Sequence, residues 1–138
     1  MTSSQEVSGN IKPNGKSIVI WCAQILLALM FGMFGAVKLT MPITDLAETM
    51  RFVAVSPAWL PRMIGAIEIV GALAVILPTA TRILPWLTPL AAIGFAIIQV
   101  LAIIVHANLG ETSSTLQINS ILLALALFVF WGRWKVSP

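Results

Sequence analysis

Four long apolar runs occupy most of the 138-residue chain, and they constrain its fold more than any other feature. They extend over residues 18–39, 59–77, 83–106 and 116–134. A helix that crosses the hydrocarbon core of a bilayer, about 30 Å thick, needs roughly 20 apolar residues. Since 59% of the residues are hydrophobic and only 9% are charged, the chain has too little polar surface for a soluble domain. The sequence therefore predicts an all-α protein, a transmembrane four-helix bundle.

The first run belongs to the predicted bundle. It is longer than the hydrophobic region of a secretory signal peptide, and no small-residue cleavage motif follows it, so we interpret it as a retained helix. Residues 1–17 are polar and contain glycine and proline, which predicts a disordered cytoplasmic tail. Residues 18–134 form the predicted membrane domain, and residues 135–138 form a second short cytoplasmic tail.

The distribution of basic residues predicts the orientation of the helices. Four spans place both termini on one side, which carries five lysines and arginines against three on the other side. The positive-inside rule then favours cytoplasmic termini. The net charge of +3 is explained by this asymmetry, and no basic patch indicates a nucleic-acid partner.

The outer segment between the first two runs has an amphipathic pattern of its own. Leu46, Met50 and Val53 recur at helical spacing, while Glu48 faces the other way. Asp45 is placed to cap the start of a short helix. We expect an amphipathic helix on the outer surface of the membrane, with an irregular loop as the alternative.

Glu68 is the most unusual residue of the second run. A charged side chain inside a membrane helix costs about 2.5–3.5 kcal/mol on insertion scales. Glu68 lies roughly 10 Å below the outer interface, at about 1.5 Å per residue. Gly65, Gly71 and Ala72 share its helix face and permit the close approach of another helix. We therefore expect the carboxylate to point into the bundle, where it is paired, hydrated or protonated.

Polar residues from all four predicted helices share the outer half of the membrane. Lys38 ends the first helix and carries the charge nearest to Glu68. Gln99 and His106 lie two turns apart on one face of the third helix, and Asn119 lies at the outer end of the fourth. The sequence thus predicts a polar cluster or ligand-binding site formed by Lys38, Glu68, Gln99, His106 and Asn119.

Several interpretations of this polar cluster stay open. The first is a polar core, in which Lys38 and Glu68 form a buried ion pair and the side-chain amides of Gln99 and Asn119 make hydrogen bonds between helices. Alternatively, it is a pocket for a small lipophilic or quinone-like molecule, or a path for protons or ions. A metal held by His106 and a carboxylate has no recognisable ligand spacing. Haem is disfavoured because the single histidine of the chain cannot supply two axial ligands.

The inner half of the predicted bundle is almost entirely apolar. Gln24 is its one clear polar residue. Cys22 is the only cysteine, so the chain cannot form a dithiol redox pair of its own. We expect Cys22 to be a small buried residue in the helix packing.

Four segments of the chain carry a resemblance to a known family: LLALMFGMFGAVKLTMP, PRMIGAIEIVGALAVILP, TRILPWLTPLAAIGFAIIQVLAIIVHANLGE and NSILLALALFVFWGR. Their most specific elements are Gly35 with Lys38, Glu68 with Gly71, and His106 at the end of the third helix. Over about residues 18–134 the chain resembles the DoxX-like family of small bacterial four-helix membrane proteins. The resemblance implies a multi-pass protein of the bacterial inner membrane.

The resemblance also bears on function. The family takes its name from a subunit of an archaeal thiosulfate:quinone oxidoreductase, and other relatives are linked to redox stress complexes, which implies a connection to quinone or redox chemistry. Most members have no assigned activity. Many relatives carry an arginine early in the first helix, about where this chain has Gln24, and this difference argues against transferring an enzymatic role.

We expect a binding or accessory subunit without catalytic activity of its own. It would hold a small lipophilic molecule or a partner protein, such as a redox protein, and could form a homo-oligomer. One alternative is the membrane subunit of a quinone-linked oxidoreductase, in which Glu68 or His106 hydrogen-bonds a quinone cofactor and exchanges protons. The other is a small proton-coupled transporter, although four helices without visible inverted repeats offer little for alternating access.

Overall fold

The computed structural model describes residues 15–111 and 113–135, which form six helices. They are α1 (Gly15–Thr40), α2 (Ile43–Thr49), α3 (Arg51–Ala54), α4 (Trp59–Thr81), α5 (Leu87–Asn108) and α6 (Ser113–Trp134). The described residues contain no strand. Because α1, α4, α5 and α6 are each long and apolar enough to cross a membrane, the predicted transmembrane four-helix bundle is confirmed.

The predicted tails lie mostly outside the described residues. Of the tail predicted over residues 1–17, residues 15–17 already belong to α1, and residues 1–14 are outside the described part of the chain. At the other end, Lys135 follows α6 in a turn and residues 136–138 are again outside.

Each long helix packs along two neighbours, in the order α1, α4, α5, α6 around the bundle. The most extensive contacts join α1 to α4 and α5 to α6. Ile20, near the start of α1, lies beside Gly132, near the end of α6, so residues 15 and 135 are at the same end of the bundle. We call this the terminal end, and the opposite end, which carries α2 and α3, the loop end.

An apolar core fills the middle of the bundle. Phe31 of α1 and Phe95 of α5 stack at its centre, with ring centroids 3.7 Å apart and 7° between the ring planes. Leu27, Val75, Ala126 and Val129 are among the fully buried residues around the two rings. The outside of the bundle is also apolar, as expected for a surface that faces lipid. Cys22 lies on this outside, so the expectation that it is buried is wrong.

The backbones of α1 and α4 approach each other at two glycines. A Cβ atom added to Gly35 would lie 2.7 Å from the backbone oxygen of Gly65, and one added to Gly65 would lie 2.8 Å from the backbone oxygen of Gly35. Both distances are too short for a non-bonded contact. Small residues at such contacts allow membrane helices to gain close packing, since lipid supplies no hydrophobic drive for their association.

The segment between α1 and α4 is helical and amphipathic, as its pattern predicts. It is divided into α2 and α3 at Met50, whose backbone is extended with φ −124° and ψ 106°. Leu46 and Val53 are buried, so both short helices pack on the bundle. The predicted cap at Asp45 is wrong, because Pro42 precedes the first residue of α2 and Asp45 lies within the first turn.

The connection between α4 and α5 lies further along the chain than predicted. Residues 78–82, which separate the second and third apolar runs, are mostly helical, since α4 includes Pro78 and continues to Thr81. Arg82 and Leu84 then adopt positive φ angles of 60° and 50°. This left-handed conformation ends helices and is usually adopted by glycine, which explains why the sequence did not indicate it here.

Replacing Gly35 by Ala is expected to destabilise the bundle by about 1–3 kcal/mol, the usual cost of overpacking. The added methyl group would meet the backbone oxygen of Gly65 at 2.7 Å. Gly32→Ala is the matched control, because its new methyl group would lie 3.9 Å from Cβ of Ala72, an ordinary contact distance. Thermal unfolding of the purified protein in detergent compares the two variants. Equal melting temperatures would contradict the close contact of α1 and α4.

Candidate functional site

Lys38 and Glu68 form an ion pair inside the bundle. Nζ of Lys38 lies 2.8 Å from each carboxylate oxygen of Glu68 and donates a hydrogen bond to both. The two residues are only 7% and 3% exposed. The ammonium also lies 5.9 Å from the ring centre of Phe34, within the range of a cation–π contact. Each charge thus has its partner within the bundle, which reduces the cost of placing it at this depth.

The glycine contact of α1 and α4 makes room for this ion pair. A Cβ atom on Gly65 would lie 2.8 Å from Cβ of Lys38, and one on Gly35 would lie 3.1 Å from Cβ of Glu68. Each glycine therefore leaves space for the charged side chain of the facing helix. Nη1 of Arg62, in the first turn of α4, donates to the backbone oxygen of Lys38. This hydrogen bond satisfies one of the carbonyls that the end of α1 leaves without a helical donor.

A cavity of about 380 Å³ lies beside the ion pair in the loop half of the bundle. Side chains from all four long helices line it, together with residues of α2 and α3 and the link between them. The five residues of the predicted polar cluster are all in its wall: Lys38, Glu68, Gln99, His106 and Asn119. Its volume falls within the range of about 300–1,000 Å³ that small-molecule sites occupy.

The two amide side chains of the cavity wall differ from the polar-core interpretation, in which both are hydrogen-bonded between helices. Gln99 is 4% exposed, and its side-chain oxygen has no hydrogen-bond partner among the described residues. A buried acceptor without a partner costs about 1–3 kcal/mol. The amide of Asn119 donates to the backbone oxygen of Thr115, 2.9 Å away in its own helix, rather than to another helix. The side-chain oxygen of Gln99 is therefore an unused hydrogen-bond acceptor in the wall.

His106 and Glu111 line the cavity at the loop end. Nδ1 of His106 lies 2.8 Å from Oε2 of Glu111, an ion-pair distance, although the two groups are not aligned as a hydrogen bond. Gly110 has a positive φ of 66°, and the backbone N–H of Glu111 donates to the backbone oxygen of His106 at 3.1 Å. This tight turn returns the carboxylate to the imidazole. Phe52 of α3 lies edge-on to the imidazole, with 6.3 Å between the ring centres.

The wall of the cavity is continuous with the outside of the bundle. Four apolar residues of the wall are each at least 42% exposed: Ile67, Leu101, Val105 and Ile118. In a membrane these residues face lipid, because they lie on spanning helices. An apolar molecule dissolved in the bilayer can therefore contact the edge of the cavity without crossing water.

A second polar cluster, which the sequence analysis did not predict, lies in the terminal half of the bundle. Gln24 is fully buried there, and its amide donates to the backbone oxygen of Val75 at 2.6 Å. Nε of Arg133 donates to the side-chain oxygen of Gln24, also at 2.6 Å. The hydroxyl groups of Thr79 and Thr88 lie 2.7 Å apart beside them. These side chains link α1, α4, α5 and α6 through hydrogen bonds.

The sequence contains a signal for this second cluster. Arg133 lies seven and four residues after Ala126 and Val129, both of which are fully buried. Helical spacing therefore places Arg133 on the core face of α6. The positive-inside rule treats Arg133 as a flanking charge, because basic residues near the end of an apolar run typically reach into the membrane interface.

Reversing one charge of the ion pair is expected to lower the free energy of unfolding by about 3–5 kcal/mol, since Lys38→Glu or Glu68→Lys buries two like charges together. The double variant restores opposite charges across the same helix contact and should recover about half of the loss or more. Chemical unfolding in mixed micelles measures the free energy of unfolding of the two single variants and the double variant. Arg51→Glu, a reversal at an exposed residue of α3, is the control and should change little. A double variant no more stable than either single one would contradict the pairing.

Comparison with known proteins agrees with this architecture. The model of the DoxX-like family matches residues 22–129, a segment that includes every residue of the predicted polar cluster. No curated protein and no solved structure matches the chain. On the basis of the family match, which covers well over half of the sequence, this membrane protein with four spanning helices belongs to the DoxX-like family.

Proposed function

We propose that this protein is a binding subunit without catalytic activity of its own, and that it holds a small lipophilic molecule in the cavity of the loop half. The cavity has the usual character of a small-molecule site, a mostly apolar wall with a few polar groups that converge on it. The observation that carries the proposal is the buried side-chain oxygen of Gln99, which has no hydrogen-bond partner among the described residues. A ligand that supplies a donor would remove the cost of leaving it unpaired.

The charges of the wall favour a neutral ligand. Lys38 and Glu68 compensate each other, and the ammonium already occupies both carboxylate oxygens. A charged ligand would compete with this pair and would be separated from water. A neutral molecule with an apolar body and a hydroxyl or N–H group fits the wall better, since Gln99 can accept its hydrogen bond.

The membrane subunit of a quinone-linked oxidoreductase is a second candidate function. The observation that favours it is the pair of His106 and Glu111, which lies between the cavity and the loop end. A quinone that is reduced or oxidised must exchange protons, and a histidine beside a carboxylate is a suitable donor and acceptor. The reduced form of a quinone also carries hydroxyl groups, and one of these can donate to the side-chain oxygen of Gln99. In this role the chain would act with a redox partner protein.

We further infer that the protein lies in a bacterial inner membrane with cytoplasmic termini. The basic residues support this orientation, because five of the eight lysines and arginines belong to the side of the termini. Four of these five basic residues lie in the described part of the chain, each within two residues of a helix end: Lys16 in α1, Arg82 after α4, Arg133 in α6 and Lys135 after α6.

Purification from the native membrane in mild detergent is expected to retain a bound lipophilic molecule, which native mass spectrometry and solvent extraction detect. Gln99→Met preserves the size of the side chain but removes its acceptor. It should raise the dissociation constant about tenfold, as expected for one lost hydrogen bond of about 1.4 kcal/mol, and so lower the bound fraction. Gln117→Met is the matched control, because Gln117 is exposed on α6 and does not line the cavity.

The extracted molecule also separates the two candidate functions. A quinone would favour the oxidoreductase subunit, whereas a molecule without a reducible ring would exclude it for this cavity. A wild-type protein that carries no small molecule, or a Gln99→Met variant that retains as much as Gln117→Met, would contradict the binding function itself.

The proposed orientation predicts that a fluorescent protein fused after the last residue becomes fluorescent, because such a fusion folds in the cytoplasm. A periplasmic phosphatase fused at the same position should be inactive. Fusions within α2, at the loop end, should give the reverse pattern. Active phosphatase at the C-terminal position would show that the termini are outside.

A further inference from the structure

A second cavity, of about 310 Å³, opens at the terminal end between the start of α1 and the end of α6. It is separate from the cavity that holds the proposed ligand, since the two have no lining residue in common. The described residues of its wall are Lys16, Ser17, Ile20, Trp131, Gly132, Arg133 and Lys135. The wall thus combines three basic side chains with an apolar side formed by an isoleucine and a tryptophan.

The two lysines of this cavity lie against one aromatic ring. Nζ of Lys16 lies 5.4 Å from the ring centre of Trp131, and Nζ of Lys135 lies 5.8 Å from it. Arg133 follows Trp131 by two residues and is 7% exposed. Arg133 and Lys135 place two like charges at this small cavity, so an anion between them would lower the electrostatic energy.

Arg133 is held in place with part of its guanidinium unused. Nε donates to the side chain of Gln24 at 2.6 Å, and the guanidinium carbon lies 5.0 Å from the ring centre of Trp21. Nη2 is buried and has no hydrogen-bond partner among the described residues. A guanidinium donates to phosphate oxygens with favourable geometry, and the two contacts above orient it in advance.

None of the described acidic residues lines this cavity. The four of them are Asp45, Glu48, Glu68 and Glu111. Asp45 and Glu48 belong to α2 at the loop end, and Glu68 and Glu111 line the other cavity. Glu6, the fifth acidic residue of the sequence, is outside the described part of the chain.

We propose that the cavity at the terminal end binds the phosphate of an anionic phospholipid from the adjacent leaflet. Nη2 of Arg133 donates to the phosphate, Lys135 and Lys16 add charge at its rim, and Ile20 with Trp131 contacts the start of the acyl chains. Basic pockets at the ends of membrane helices recognise lipid head groups in this way, and tryptophan is enriched at the same depth. The membrane itself, in contact with α1 and α6, supplies such a ligand at high local concentration.

The test uses the full-length protein in mild detergent and measures binding of short-chain phosphatidylglycerol by native mass spectrometry. Lys135→Gln should weaken binding roughly fivefold, the effect of one basic residue near a membrane surface. Arg133→Gln should weaken it about tenfold or more, because a charge-assisted hydrogen bond is also lost. Arg82→Gln is the matched control, since Arg82 is an exposed basic residue after α4, at the same end of the bundle, and does not line the cavity.

Two further probes identify the chemistry that is recognised. Phosphatidylcholine, which carries a phosphate but no net charge, should bind at least about fivefold more weakly than phosphatidylglycerol. Inorganic phosphate should not displace phosphatidylglycerol. If inorganic phosphate displaces the lipid, or if phosphatidylcholine binds equally well, the assignment to an anionic lipid is wrong.

The variants decide whether the cavity is the place of binding. Arg133 also contributes to the hydrogen bonds around Gln24, so Arg133→Gln is interpreted only together with its melting temperature without lipid. Lys135 is exposed and makes no contact in the bundle core, which makes Lys135→Gln informative even if the arginine variant unfolds. Equal binding by Lys135→Gln, Arg82→Gln and the wild-type protein would overturn the proposal.

Discussion

The structure depends on the place where α1 and α4 bring two opposite charges together inside a membrane. An unpaired charge on Lys38 or Glu68 would be costly in free energy at that depth, because lipid cannot solvate it. The two charges can meet because Gly35 and Gly65 allow the two backbones to touch. The glycines therefore make the ion pair possible, because a larger side chain at either position would push α1 and α4 apart and separate the two charges. Lys38 and Glu68 line the cavity together with residues of α2, α3 and the turn at Glu111.

The bundle has polar groups in both halves and an apolar layer between them. The stacked rings of Phe31 and Phe95 lie in that layer, and aliphatic side chains surround them. In the terminal half, Arg133 brings its guanidinium against Gln24. The two halves thus offer different chemistry, a cavity beside a buried ion pair at the loop end and a basic cavity at the terminal end.

The prediction from sequence succeeded where one helix alone decides the outcome. The lengths of the four apolar runs were enough to predict the spans, and helical spacing placed Glu68 and Gln99 on inward faces. It failed where a second element decides. Pro78 is tolerated within α4. Gln24 of α1 donates to the backbone oxygen of Val75, three residues before this proline, and no local sequence pattern indicates that contact. The left-handed residue Arg82 carries no glycine signal either.

The sequence by itself determined that this chain is a membrane bundle and which polar residues lie at similar depth, because hydrophobic length and a rise of about 1.5 Å per residue are properties of single helices. Only the tertiary structure decided how those residues are used. It paired Lys38 with Glu68, left the oxygen of Gln99 without a partner and turned Arg133 towards Gln24. The physical reason is that depth fixes position along one axis only, whereas a hydrogen bond or a cavity requires the rotation and spacing of neighbouring helices.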